Sequence, residues 1–223
     1  MSRIARVSVP GIAHHITQRG NNRETIFMDE KDNYQYLEWL KKYSDKYGMK
    51  IWAYCLMGNH IHLLTIPEKA NSLSHTLRDA HMRYSQYVNH KYKRSGHLWQ
   101  GRFFSCPLDD VHMLAVARYI ERNPVRARLV RKAEKWQWSS AKAHVSGISD
   151  KLLSEDTTLL NLVEDWKEFL REQDNKEVVE NLRKSTRTGR PFGNEKFVIH
   201  IESLISRILH PKKGGRPPKQ KND

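Results

Sequence analysis

Two apolar runs joined by one tight turn constrain this chain more than any other feature. Residues 51–56 and 60–66 are rich in strand formers and flank Met57-Gly58-Asn59. So short a connection requires antiparallel pairing, because parallel strands need a crossover of about a dozen residues or more. On a strand, side chains at i and i+2 share a face. His60 and His62 therefore project together, while Ile61 and Leu63 enter the opposite, buried face. Two imidazoles side by side on a rigid strand make half of a metal site. A lone His-x-His pair, however, is more often a pair of buried histidines bonded to backbone, so the rest of the chain must decide.

Residues 11–19 read as a first strand closed by Gly20-Asn21-Asn22. His14 and His15 fall on its opposite faces, and both read as structural or DNA-facing rather than as ligands. A helix is expected from the N-cap Asp29 to Gly48, with Tyr36, Trp39, Leu40, Tyr43 and Tyr47 as its core stripe. A second follows Pro67, its apolar face running through Leu73, Leu77, Ala80, Tyr84, Tyr87 and Val88. With a further strand near Phe103, the order predicts an α+β fold. Its expected form is a ferredoxin-like antiparallel sheet with helices on one face, followed by a helical C-terminal extension.

A third helix should run from Asp109 or Asp110 to about Asn123, where Pro124 biases the chain away from helix. Met113, Leu114, Ala117 and Ile120 form its core side. His112, Tyr119 and Asn123 share another face, with Tyr119 and Asn123 one turn apart. A tyrosine off the apolar stripe and beside a polar residue is poorly explained as core filler. Beyond a packed closing segment at 136–140, Leu159, Leu162, Val163, Trp166 and Leu170 predict an amphipathic helix. Its Glu164, Asp165, Glu168 and Glu172 read as a solvated acidic face. Residues 186–193 read as a Gly/Pro linker, and Phe197 to Ile208 as a last helix. The tail carries Lys212, Lys213 and Arg216 on a flexible backbone, as either a minor-groove-reading arm or a plain basic tail.

At 223 residues the chain can bury one substantial core, and its formal charge of +14 points to a polyanionic partner. Nucleic acid leads, with an anionic membrane surface second. No apolar run is long enough to span a bilayer, and residues 1–6 lack the apolar core of a secretory signal. Cys55 and Cys106 are too few for a disulfide framework, which fits a reduced cytoplasm, and no Cys-x-x-Cys zinc pattern exists. Residues 91–104 interleave cations with aromatics, the composition of a single-strand binding surface. An equal alternative is a hairpin whose Trp99 and Phe103 enter the core; Arg102 is the better nucleic-acid contact.

A phosphodiester resists nucleophiles because its oxygens are negative. A divalent cation between His60 and His62 would neutralise one oxygen and orient the phosphorus. Tyrosine could then attack in line, leaving a phosphotyrosine and a free 3′-hydroxyl. Asn123 could add an amide oxygen as third ligand, and Mg²⁺ or Mn²⁺ suits this chemistry better than zinc. Hydrolysis by metal-bound water would call for carboxylate motifs that the sequence lacks. Tyr84 and Tyr87 sit in a core stripe, so Tyr92 is the rival nucleophile to Tyr119.

Four stretches carry a resemblance: Thr17-Gln18-Arg19-Gly20-Asn21-Asn22, Gly58-Asn59-His60-Ile61-His62-Leu63, Trp99-Gln100-Gly101-Arg102-Phe103, and Ala117 through Arg126. Together they resemble the REP-associated tyrosine transposases, IS200-like single-tyrosine nucleases of the His-apolar-His class. The resemblance implies a metal-dependent endonuclease and strand transferase that cuts single-stranded DNA beside palindromic hairpins through a 5′-phosphotyrosine. It implies His60 and His62 as metal ligands and Tyr119 as nucleophile, with Asn123 where relatives often carry a glutamine. The expected DNA contacts are Arg19, Asn21, Arg102, Arg126, Lys212, Lys213 and Arg216. The corresponding division is a nuclease domain over 1–145, a helical extension and linker over 146–190, and a small helix with basic tail over 191–223. Hairpin DNA is the expected partner, without membrane or obligatory protein partner, for a monomer or homodimer in the bacterial cytoplasm at the nucleoid. The alternatives are a non-catalytic hairpin-binding repressor and an RNA-processing protein on the same fold.

Overall fold

The computed structural model describes residues 4–156 and 158–210. Strand β1 (His14–Arg19) leads to helix α1 (Glu30–Tyr47), then to β2 (Met49–Met57), β3 (His60–Pro67) and α2 (Ser72–Lys91). Next come β4 (Phe104–Pro107), α3 (Asp110–Glu121), the single turn α4 (Asn123–Arg126) and α5 (Ala141–Ser146). The remaining helices are α6 (Trp166–Phe169), α7 (Lys176–Thr188) and α8 (Glu195–Ile205). The four strands form one antiparallel sheet in the order β2-β3-β1-β4. The α+β expectation holds.

Local chemistry explains the boundaries. Asp29 caps α1 by accepting from the Asp32 N–H while the Asp32 side chain answers the cap backbone. Gly48 ends the helix at φ 65°, a left-handed conformation that glycine adopts without a Cβ clash. The Gly58-Asn59 turn fixes the β2–β3 register, setting His60 against Met57 and His62 against Cys55. On the far side of β3, His60 faces Arg19 and His62 faces Thr17 of β1.

Each strand face has its own core. Ile16, Tyr54, Leu56, Ile61 and Leu63 pack with the α1 and α2 stripes, where Tyr36, Leu40, Leu77 and Tyr84 are fully buried. On the other face, Ala53, Cys55, Leu64 and Cys106 meet Met113, Val116, Ala117 and Ile120 of α3 and Val179 and Leu182 of α7. To the helices expected on one face the structure thus adds α3 and α7 on the other. That second layer is what brings α3 to the histidine face. The closing segment docks along β2: Leu56 N–H donates to the Trp138 carbonyl, and Trp136 Nε1 donates to that of Leu56.

Three local expectations differ from the structure. Pro124 does not stop the chain; it occupies the first turn of α4, where its missing N–H costs nothing, and helical turns continue to Arg126. Residues 159–170 are not one helix. A 3-10 turn over Leu160–Leu162 gives way to an extended Val163, and Asp165 then caps the short α6. Thr186 and Thr188 belong to α7 rather than to a linker, with Asn175 capping its start and Gly189 its end. The expected DNA contacts of the basic tail, Lys212, Lys213 and Arg216, lie outside the described residues.

Candidate active site

A cleft of about 440 Å³ opens on the second face of the sheet. Strand alternation supplies its floor: His15, Thr17 and Arg19 from β1, and His60 and His62 from β3. Tyr119 and Asn123 enter from α3 and α4, and Arg183, Thr186 and Arg187 from α7. The His60 and His62 ring centroids are 5.0 Å apart, and the Tyr119 ring stands edge-on to His62 at 5.7 Å. The two faces singled out in the sequence, one on the histidine strand and one on the third helix, therefore meet. Tyr84, Tyr87 and Tyr92 do not line the cleft. Tyr84 donates to the Ile26 carbonyl inside the core, and Tyr92 to Asp32.

Both strand histidines are neutral at physiological pH. Burial pushes His60 down to about 4, with the Arg19 and Arg126 charges acting in the same direction. His62 is held well below 6.5 by burial first, then by His60, His15, Arg126 and Arg19. Neutral imidazole is the form that ligates metals. The Asn59 amide donates to the Arg23 carbonyl, so its oxygen faces His60 Nδ1 at 2.6 Å and accepts that proton. His60 is left with a bare Nε2. His62 Nδ1 lies 2.9 Å from His15 Nε2, so its Nε2 is likewise the nitrogen not engaged in that bond.

Among the described residues, no group of three or more His, Cys, Asp or Glu could hold a metal ion. A divalent site here would need a different third donor. Asn123 is 9% exposed, lines the cleft, and has an Nδ2 without a hydrogen-bond partner. Its amide oxygen is the atom that could ligate a cation, and the unpartnered Nδ2 could at most donate a hydrogen bond to a bound group. Two neutral imidazoles and an amide oxygen suit a divalent cation without dictating which one.

Tyr119 is held from several sides. The Arg126 guanidinium lies 3.9 Å from its ring centroid, donates to its carbonyl at 2.7 Å, and binds Asp174 at 2.9 Å. Arg183 Nε approaches the Tyr119 hydroxyl at 3.4 Å. Arg126, expected to contact DNA, is thus committed to Tyr119 and Asp174. Arg19 lines the cleft, and Asn21 sits just beyond β1, its N–H bonded to the Leu98 carbonyl. Arg102 lines a separate hollow with Arg6, His81, Trp99 and Phe103. Trp99 enters the core and stacks on His81 at 4.3 Å. His112, grouped with Tyr119 by helical spacing, instead bonds Asp109 and packs on Phe192.

His15, Arg183 and Thr186 were not among the expected site residues. The alternation of β1 allowed one of its two histidines to face the site. The Asn175-to-Gly189 cap pair and the stripe Val179, Leu182, Thr186 were the available signals for α7.

Residues 8–123 match the family model described as "Transposase IS200 like", a segment just over half the length of the chain. The chain belongs to the IS200-like transposase family. The matched segment contains His60, His62, Tyr119 and Asn123, whereas α7 lies beyond it. The fold is similar to that of a REP-associated tyrosine transposase solved bound to a REP hairpin. The TM-score is 0.56 at 23% identity, over 71% of this chain and 94% of that one. A transposase structure from Deinococcus radiodurans R1 aligns more loosely, with TM-score 0.38 and 17% identity over 54% of this chain and 96% of that one. No curated protein matches the chain.

Proposed function

We propose that this IS200-like transposase cleaves single-stranded DNA beside REP-type hairpins and conserves the phosphoester bond on Tyr119. One observation carries the reading: Tyr119 stands edge-on to His62 in the cleft that His60 and Asn123 also line. The similarity in fold to a hairpin-bound tyrosine transposase supports the choice of substrate.

His60, His62 and the Asn123 amide would hold Mg²⁺ or Mn²⁺, which when bound supplies charge neutralisation at a phosphate oxygen. The chain's own groups do the rest. Tyr119 Oη attacks phosphorus, the bond to the 3′ oxygen breaks, and that oxygen takes up a proton to leave as a hydroxyl. The phenol proton passes to water in the open cleft, and Arg183 stabilises the oxygen as it loses that proton. Arg126 fixes the ring from above. Arg19 and Arg187 line the cleft with positive charge suited to the flanking strand. Because the 5′-phosphotyrosine keeps the ester energy, a second 3′-hydroxyl can reverse the step on the same or another strand.

Residues 1–145 form the nuclease unit in this reading, with 146–190 and 191–223 as an extension serving hairpin recognition. The test is a hairpin oligonucleotide with a labelled single-stranded flank, incubated with Mn²⁺. Cleavage should release a free 3′-hydroxyl fragment and leave the other fragment on the protein, and Tyr119→Phe should do neither. Hairpin binding without cleavage, unaffected by alanine at His60 and His62, would identify a non-catalytic repressor instead. Cleavage that requires a 2′-hydroxyl would identify an RNA-processing protein.

A further inference from the structure

We propose that Thr186, on α7 and beyond the family-matched segment, is a positioning residue for His62 that acts through His15. The proposal rests on the reading of His62 as a metal ligand, and extends it to a part of the chain that the family match does not reach.

The geometry is a buried relay. His62 Nδ1 lies 2.9 Å from His15 Nε2, and His15 Nδ1 lies 2.8 Å from Thr186 Oγ1. The two rings are parallel within 6°, with centroids 5.2 Å apart. Thr186 Oγ1 continues to Cys106 Sγ at 3.3 Å. His15 is 2% exposed, Thr186 3% and Cys106 0%, which leaves water little access to replace any partner.

A neutral imidazole carries one N–H, so the relay runs in one direction at a time. For His62 to offer the Nε2 lone pair, its proton must sit on Nδ1 and donate to His15 Nε2. His15 must then carry its own proton on Nδ1 and donate it to Thr186 Oγ1, whose hydroxyl turns to Cys106 Sγ. The opposite direction ends with an N–H on His62 Nε2, which cannot ligate a cation. Thr186 is thus the terminal acceptor of the metal-competent arrangement, as the Asn59 amide is for His60. Without that hydroxyl, the His15 N–H would be buried and unmet in the arrangement the metal needs.

The first measurement is the tautomeric state of His62 in the metal-free protein, read from long-range ¹H–¹⁵N correlations. The relay requires the proton on Nδ1, whereas free imidazoles favour Nε2. The second is Mn²⁺ affinity by calorimetry. Thr186→Val, nearly isosteric, should lower the Nδ1–H population and weaken Mn²⁺ about tenfold, and Thr186→Ser should restore both. A wild-type His62 protonated on Nε2 overturns the proposal, and this outcome needs no variant to fold. So does a Thr186→Val protein with wild-type Mn²⁺ affinity and tautomer. If the wild type binds no Mn²⁺ yet shows the Nδ1–H tautomer, lost in Thr186→Val, the relay stands and the metal reading fails.

Discussion

Arg126 covers the ring of Tyr119, its guanidinium carbon 3.9 Å from the ring centroid while one nitrogen holds the Tyr119 carbonyl. A planar cation stacked on an aromatic face also restrains the ring's rotation. Lysine keeps the charge but neither the stack nor the second donor. Arg126→Lys should therefore slow adduct formation about tenfold or more, while hairpin affinity falls far less. Single-turnover cleavage beside a filter-binding titration separates the two effects.

Asn123 is the donor that distinguishes a three-ligand site from a histidine pair. Its Nδ2 has no partner, so removing the amide breaks no internal hydrogen bond at that atom. Asn123→Ala should leave the melting temperature near wild type and raise the Mn²⁺ concentration needed for half-maximal cleavage by about tenfold. A metal titration of cleavage, with a thermal melt of the same sample, checks both halves.

Glu121 is fully buried at the end of α3, where it accepts from Ser140 and from Trp166 Nε1, with His144 Nδ1 2.7 Å away. It ties α3 to the closing segment and α6. Glu121→Ala leaves Trp166 Nε1 without its acceptor and removes the carboxylate beside His144, and should cost about 3 kcal/mol or more of stability, read from urea unfolding. Loss of cleavage in this variant should track loss of folded protein.

How far the sequence reveals this site depends on whether local rules or tertiary packing decide. The β2–β3 hairpin follows from Gly58-Asn59 and alternation, and α1 from Asp29 and Gly48; both are local. The shared face of Tyr119 and Asn123 follows from helical spacing. That His112 leaves that face for Asp109 does not, because an N-cap carboxylate competes for it. Helix α7 was obscured because its charged residues outnumber Val178, Val179 and Leu182, leaving a stripe too thin to stand out. Its Arg183 and Thr186 reach the cleft only because β1 and β4 lie beneath it. The contact between His15 and His62 depends on register between strands 47 residues apart. No local pattern encodes that register.

Stability should fall in mild acid. Burial lowers His14 to about 4 and His81 to about 3, against 6.5 for an ordinary imidazole. From pH 6.5 down to about 4 the unfolded chain takes up protons that the folded chain refuses. Stability is therefore full above pH 6.5 and lost as pH drops, by about 1.4 kcal/mol per pH unit for each such histidine. His210, raised by Glu202 and Glu195, works in the opposite direction from the surface. Urea unfolding at stepped pH should show the decline, and His81→Gln should make it shallower.

The most direct test of the whole account is to map the covalent DNA adduct to a peptide. Wild-type protein, Mn²⁺ and a hairpin oligonucleotide with a single-stranded flank should yield, after digestion, a nucleotide mass on the peptide containing Tyr119. That mass should be absent when His60 or His62 is alanine. A nucleotide on the peptide containing Tyr92, or no adduct at all, would contradict the account.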